Sequence, residues 1–233
     1  MNPSMLKAWS LTARTVAAVL VAAALASCGG GTAPPTRDEP PAIVDVVDDG
    51  FHGSLVDPPL RPPRVVLRDT RGGAVDLSRL DPDKATVLYF GFTHCDDVCP
   101  TTMADLAVAR RLLPPALADR VVVWFVTVDP GRDTPAALLQ WLRRFDPDFI
   151  GLRGPAEVVH QAERSLYLPE SSPGSPTTPQ PAGHHSQEAA DEDYQVDHAG
   201  SVYVFGPGGT TVLYTGGTTP QQYADDLRRL LTT

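Results

Sequence analysis

The chain has 233 residues, with 28 Asp or Glu against 19 Lys or Arg, for a formal charge of −9. Such acidity argues against a nucleic-acid partner and against electrostatic docking on anionic lipid, both of which need a cationic surface. Three cysteines are too few for a disulfide framework.

The first segment reads as an export signal. Lys7 and Arg14 supply a positive start, Val16 to Ala26 is a short apolar run, and Leu25-Ala-Ser-Cys28 follows. The run falls short of the roughly 20 residues a membrane span needs. Leu-Ala-Ser-Cys resembles the lipobox of bacterial lipoproteins, which implies cleavage before Cys28 and a diacylglycerol on its sulfur. Cys28 would then anchor the chain to the extracytoplasmic face of a bacterial membrane. Only Cys95 and Cys99 remain for chemistry in the folded part, in a compartment that oxidises thiols. Residues 28–61, rich in Pro, Gly, Asp and Thr, read as a tether and irregular lead-in.

The folded elements begin near residue 62. Val65 to Leu77 reads as strand, Gly-Gly turn and strand, and Ala85 to Phe92 as a strand buried on both faces. A helix is expected over Thr102 to Leu117, ended by Pro114-Pro115, and a second buried strand over Arg120 to Val128. Asp133-Thr134-Pro135 starts the next helix, with Asp133 and Thr134 as expected caps and Leu138, Leu139, Leu142 and Phe145 on its apolar face. A short strand at Phe149 to Leu152 and a helix at Pro155 to Leu166 follow. Residues 169–193 are low in complexity and acidic, and are expected to form a disordered insertion. Val196 to Phe205 and Thr210 to Tyr214 form a hairpin around Gly206-Pro-Gly-Gly209, and Pro220 to Leu231 is the final helix. This order is that of a thioredoxin-like α/β domain, a central mixed sheet flanked by helices, over residues 62–233 with an N-terminal β-hairpin.

The chemistry concentrates in Gly91-Phe-Thr-His94-Cys95-Asp-Asp-Val-Cys99-Pro100, a strand-to-helix turn. On a helix, positions i and i+4 share one face with Cβ atoms about 5–6 Å apart. Two thiolates on one metal at about 2.3 Å each fit that separation, and a slight bend would let the pair close a disulfide. Spacing alone permits both a soft-metal clamp and a redox couple. A helix N-terminus lowers a thiol pKa, which serves either. Zinc would want four ligands, whereas one imidazole added to two thiolates makes a trigonal site suited to copper. His198 is the candidate, because the loop entering its strand faces the cysteine turn in this fold. His94 is expected to point away, since neighbours at a strand end diverge. Asp96 and Asp97 read as solvated turn acids. His184-His185 reads as polar filler or as a transient copper-capture site.

Three segments carry a family resemblance: Gly91 to Pro100, then Val126-Thr-Val-Asp129-Pro-Gly-Arg-Asp-Thr-Pro135, then Val196-Asp-His198. In order and separation they resemble the signature segments of the Sco/SenC family, over roughly residues 60 to 231. The resemblance implies a membrane-anchored copper chaperone for the dinuclear centre of cytochrome c oxidase. It implies Cu(I) and Cu(II) held by Cys95, Cys99 and His198. The implied partners are the oxidase subunit carrying that centre, other copper chaperones, and thioredoxin-like reductants. It places Asp129 near the copper, tuning the ligands or aiding docking; the plainer reading is a turn aspartate. The sequence departs from the family in its long acidic insertion and its lipid-type anchor. The enzymatic alternative is a thiol–disulfide oxidoreductase that keeps cysteines of the oxidase subunit or another exported protein reduced, using Cys95 and Cys99 as a redox disulfide without His198. A peroxiredoxin-like peroxidase is disfavoured, because the double-cysteine clamp stands where the peroxidatic context would be.

Overall fold

Two apolar runs too long and too continuous to alternate set the architecture. β4 (Ala85–Gly91) is buried along its whole length, and β5 (Val121–Thr127) along nearly all of it. Strands with two dry faces need cover on both sides. The computed structural model describes residues 50–173 and 196–232. These belong to one of two compact units, Pro40–Thr233, and the other unit, Met1–Glu39, lies outside the described residues.

The remaining strands are β1 (Ser54–Leu55), β2 (Val66–Asp69), β3 (Ala74–Asp76), β6 (Ile150–Arg153), β7 (Ser172–Pro173), β8 (Val196–Asp197), β9 (Val202–Phe205) and β10 (Thr211–Tyr214). The helices are α1 (Val98–Leu112), α2 (Pro115–Ala118), α3 (Pro135–Leu142), α4 (Ala156–Ser165) and α5 (Pro220–Thr232). One sheet runs β1-β10-β9-β4-β5-β6-β2-β3, and β7 pairs with β8 separately. β4, β5 and β6 are mutually parallel; β9 lies antiparallel to β4, and β2 antiparallel to β6. This is the mixed sheet with flanking helices expected of the thioredoxin-like order.

Strand alternation sorts the core into two layers. Val87 and Tyr89 of β4 and Val123 and Phe125 of β5 pack with Met103, Leu106, Leu138, Trp141, Leu227 and Leu230, on the side of α1, α3 and α5. Leu88, Phe90, Trp124 and Val126 face the other way, toward Leu67, Leu152, Val159, Ala162 and Tyr203. On α3 the buried residues are Leu138, Trp141 and Leu142. Leu139 and Phe145, expected on that face, are only half-buried, and the Trp141 ring takes the inner position against Phe125 and Phe145.

Other boundaries also shift. α1 begins at Val98 rather than Thr102, because the turn closes directly into the helix. The lead-in is partly built into the sheet: β1 pairs with β10, and Val56 is buried. Residues 169–173, assigned from sequence to the low-complexity segment, hold Ser171 buried and form β7. The rest of that segment, with His184 and His185, lies outside the described residues, as does Cys28.

Asp226 on α5 fastens the lead-in. It is almost fully buried and accepts hydrogen bonds from the backbone N–H groups of His52 and Gly53, each at 3.0 Å, and from the Tyr214 hydroxyl at 2.8 Å. Removing it would leave the buried Tyr214 hydroxyl and two part-buried N–H donors unpaired. Asp226→Ala is expected to cost about 2–3 kcal/mol of unfolding free energy, measured by urea denaturation, with early protease cleavage near residues 50–56.

Candidate metal centre

The register of the sheet brings the distant donor to the turn. β4 and β9 run antiparallel with Tyr89 opposite Val202. The residues entering β9 therefore lie beyond the exit of β4, where the chain turns at Gly91 toward α1. His198 reaches the cysteine turn from this position.

The turn is tight. Cys95 N–H donates to the Phe92 carbonyl at 3.3 Å, and α1 starts three residues later. Asp97 at the helix N-cap makes no side-chain cap. The Cys95 sulfur takes that place, accepting the Cys99 N–H at 3.4 Å. Gly91 is required beneath it. A Cβ there would stand 2.7 Å from the Cys99 sulfur and 3.0 Å from Phe125.

Cys95, Cys99 and His198 each offer one ligand atom, and these atoms all lie within 4.8 Å of one another. The Cys99 sulfur is 3.3 Å from His198 Nε2. His198 Nδ1 lies 3.1 Å from the Val196 carbonyl. A carbonyl only accepts, so Nδ1 carries the hydrogen and Nε2 faces the sulfurs. Phe92 meets the imidazole edge-on at 5.3 Å between ring centres and fixes its plane. Both cysteines are free thiols.

The two sulfurs differ electrostatically. The hydrogen bond from the Cys99 thiol holds Cys95 down at about 5, helped by the N–H groups of Cys99 and Asp97 and by His198 and opposed by burial. Cys99 is pushed up, by the Cys95 sulfur to which it gives its proton and by burial. The Tyr89 hydroxyl lies over Cys99 at 3.5 Å, and burial raises its own pKa as well. The resting pair is one outer thiolate and one inner thiol. Two soft sulfurs and an imidazole fit a soft, low-coordinate ion.

Other candidates fall outside this group. His94 is exposed, with Nδ1 3.1 Å from Thr93 Oγ1. Asp96 and Asp97 face solvent. Asp129 is buried and ion-paired with Arg132. The Arg132 guanidinium lies over Phe92 at 5.8 Å, and Phe92 in turn meets the imidazole.

Asp133 corrects the capping expectation. Thr134 Oγ1 caps α3 by accepting the Ala137 N–H at 3.2 Å. Asp133 instead turns inward, fully buried, and accepts the Thr93 N–H at 3.1 Å and the hydroxyls of Thr93 and Thr127. It ties the cysteine turn to the end of β5. Sequence reasoning missed this role, and that of Tyr89, because both depend on contacts between elements.

A model of the SCO1/SenC family matches residues 64–232. The chain belongs to this family. The mitochondrial SCO2 homolog of Bos taurus is 38% identical over 150 residues, covering 61% of this chain and 50% of that protein. The chain spans about half the length of the curated relatives it matches. Copper-bound ScoI of Bradyrhizobium japonicum is 30% identical with a TM-score of 0.58, covering 74% of this chain and 99% of that one. The apo Sco1 protein of Thermus thermophilus, solved in solution, is 33% identical with a TM-score of 0.58, covering 77% and 94%. Among the described residues, no helix is long and apolar enough to cross a membrane.

Two predictions follow from the asymmetric pair and its packing. In the reduced protein, alkylation of Cys95 by iodoacetamide should be half-maximal near pH 5, because the reactive thiolate is lost as pH falls through that value; mass spectrometry should find Cys99 far slower. Gly91→Ala should displace the Cys99 sulfur and weaken metal binding about tenfold or more, seen by titration, with the fold retained by circular dichroism.

Proposed function

We propose that this chain binds one copper ion through Cys95, Cys99 and His198 and delivers it to the dinuclear copper centre of cytochrome c oxidase. The observation that carries the reading is the convergence of His198 Nε2 on the two sulfurs from 99 residues away along the chain. Membership of the SCO1/SenC family and the copper-bound ScoI relative support copper as the ion. Copper is cargo here, so binding has to be tight yet open to exchange. The Cys95 thiolate would meet the ion first. The Cys99 proton leaves to solvent as its sulfur binds, and the imidazole would bind through Nε2 while the Val196 carbonyl holds Nδ1–H. Asp129 acts at one remove, steadying Phe92 and the imidazole through Arg132. Cys28, with its lipobox-like context, would hold the protein by a lipid anchor at the extracytoplasmic face.

A second reading is thiol–disulfide exchange, favoured by one observation: the lowered pKa of Cys95 beside a proton-bearing partner sulfur. It needs both cysteines and no imidazole. The two activities can coexist, since metallation requires reduced thiols.

His198→Ala separates them. Anaerobic titration of the reduced protein should show copper affinity lowered by more than about tenfold, since a lost ligand costs more than a lost ligand-orienting partner. Oxidase assembly should fail while dithiol redox activity persists. Unchanged copper affinity and normal oxidase assembly in this variant would sink the chaperone reading and leave the redox couple.

A further inference from the structure

Glu163 is a buried acid that the proposed chemistry does not use. It sits on the inner side of α4 and is 1% exposed. Burial pushes its carboxyl above the usual range, with His160 and Glu170 the charged groups nearby. A carboxylate is costly to bury unless its acceptors are matched. Its partners are the Ser171 N–H at 3.1 Å and the Ser171 hydroxyl at 3.3 Å.

The loop between them is closed from both ends of the same residue. The Glu163 carbonyl accepts the N–H groups of Leu166 and Leu168, each at 3.0 Å. Tyr167 between them has a positive φ of 58°, at the position after a helix end that glycine usually fills. A tyrosine held there costs free energy and persists only where the surroundings fix it. The Tyr203 hydroxyl of β9 adds a hydrogen bond to the Leu166 carbonyl at 2.8 Å.

Ser171 leads straight into β7. Ser172 pairs with Asp197 and Pro173 with Val196. The Val196 carbonyl in turn accepts His198 Nδ1–H. A two-residue ladder has little stability of its own, and residues 174–195 separate its two strands in the chain. On the β8 side, Val196 is buried in the core. On the β7 side, the Glu163–Ser171 clasp is the buried side-chain anchor, beside the more exposed pairs of Glu170 with Arg164 and His160.

We infer that Glu163 is a positioning residue for copper binding: by clasping Ser171 it fixes β7, β7 fixes β8, and the Val196 carbonyl then holds His198 with Nε2 toward the sulfurs. The inference rests on the copper reading for its purpose, and its test begins in copper-free protein.

Nitrogen NMR of the His198 ring in the reduced full-length chain reads the orientation directly. In wild type the ring should be a single Nδ1–H tautomer. Glu163→Ala should give mixed tautomers and a copper affinity lower by about tenfold, with Cys95 alkylation unchanged. Glu163→Gln keeps an acceptor oxygen for Ser171 and should restore both signals. Wild-type ring signals in Glu163→Ala would overturn the inference. So would equal losses at His198 and at Cys95, which mark general loosening. If Glu163→Ala does not fold, Glu163→Met, which fills the space but offers Ser171 no acceptor oxygen, decides: a mixed-tautomer ring supports the clasp and an unchanged ring refutes it. Ring signals that respond to these variants in a protein that takes up no copper would refute the copper reading and spare the clasp.

Discussion

Antiparallel pairing of β9 with β4 is the constraint on which the site depends. It places the entry of one strand over the exit of the other, so the turn after Gly91 and the segment before Val202 share one end of the sheet. Parallel pairing would carry His198 to the opposite end. A one-residue slip would turn Val202 and Val204 out of one core layer and Tyr203 and Phe205 out of the other. Both layers are dry, so the register that packs the core also aims the imidazole.

Within that frame, polar groups fine-tune the donors. Asp133 binds the cysteine turn to β5, and the Val196 carbonyl sets the histidine tautomer. Phe92 contacts both the imidazole and the Arg132 of the Asp129–Arg132 pair. On the proposed reading, a buried acid supports the metal centre from each of two directions. Asp133 acts by hydrogen bonds along the chain turn. Asp129 would act through Arg132, which lies over the Phe92 ring.

Much of this was legible beforehand. Uninterrupted apolar runs announced β4 and β5, and the Gly72-Gly73 turn announced the β2–β3 hairpin, where Gly72 adopts a φ of 89°. The cysteine spacing on a strand-to-helix turn, with one well-placed histidine, pointed to the three converging donors. What stayed hidden depends on long-range contact. Asp133 looks like a cap because an aspartate before Thr-Pro usually is one, and its partner Thr93 lies 40 residues away. Trp141 displaces Leu139 from the inner face because Phe125 offers it an aromatic neighbour. Residues 169–173 share the composition of the segment that follows, so only the acid on α4 tells them apart. The short β1 carries no periodic signal at all, and its pairing depends on β10.

The two sulfurs also differ in how a visitor reaches them. Cys95 is 9% exposed and Cys99 is sealed, roofed by Tyr89 and backed by the bare Cα of Gly91. An incoming thiol from solvent thus meets the outer sulfur and the imidazole edge before the inner sulfur. On the proposed reading, bonds to the cargo would break from outside inward, with Cys99 letting go last. Handover then has a built-in order, imposed by burial alone and needing no hinge or lid.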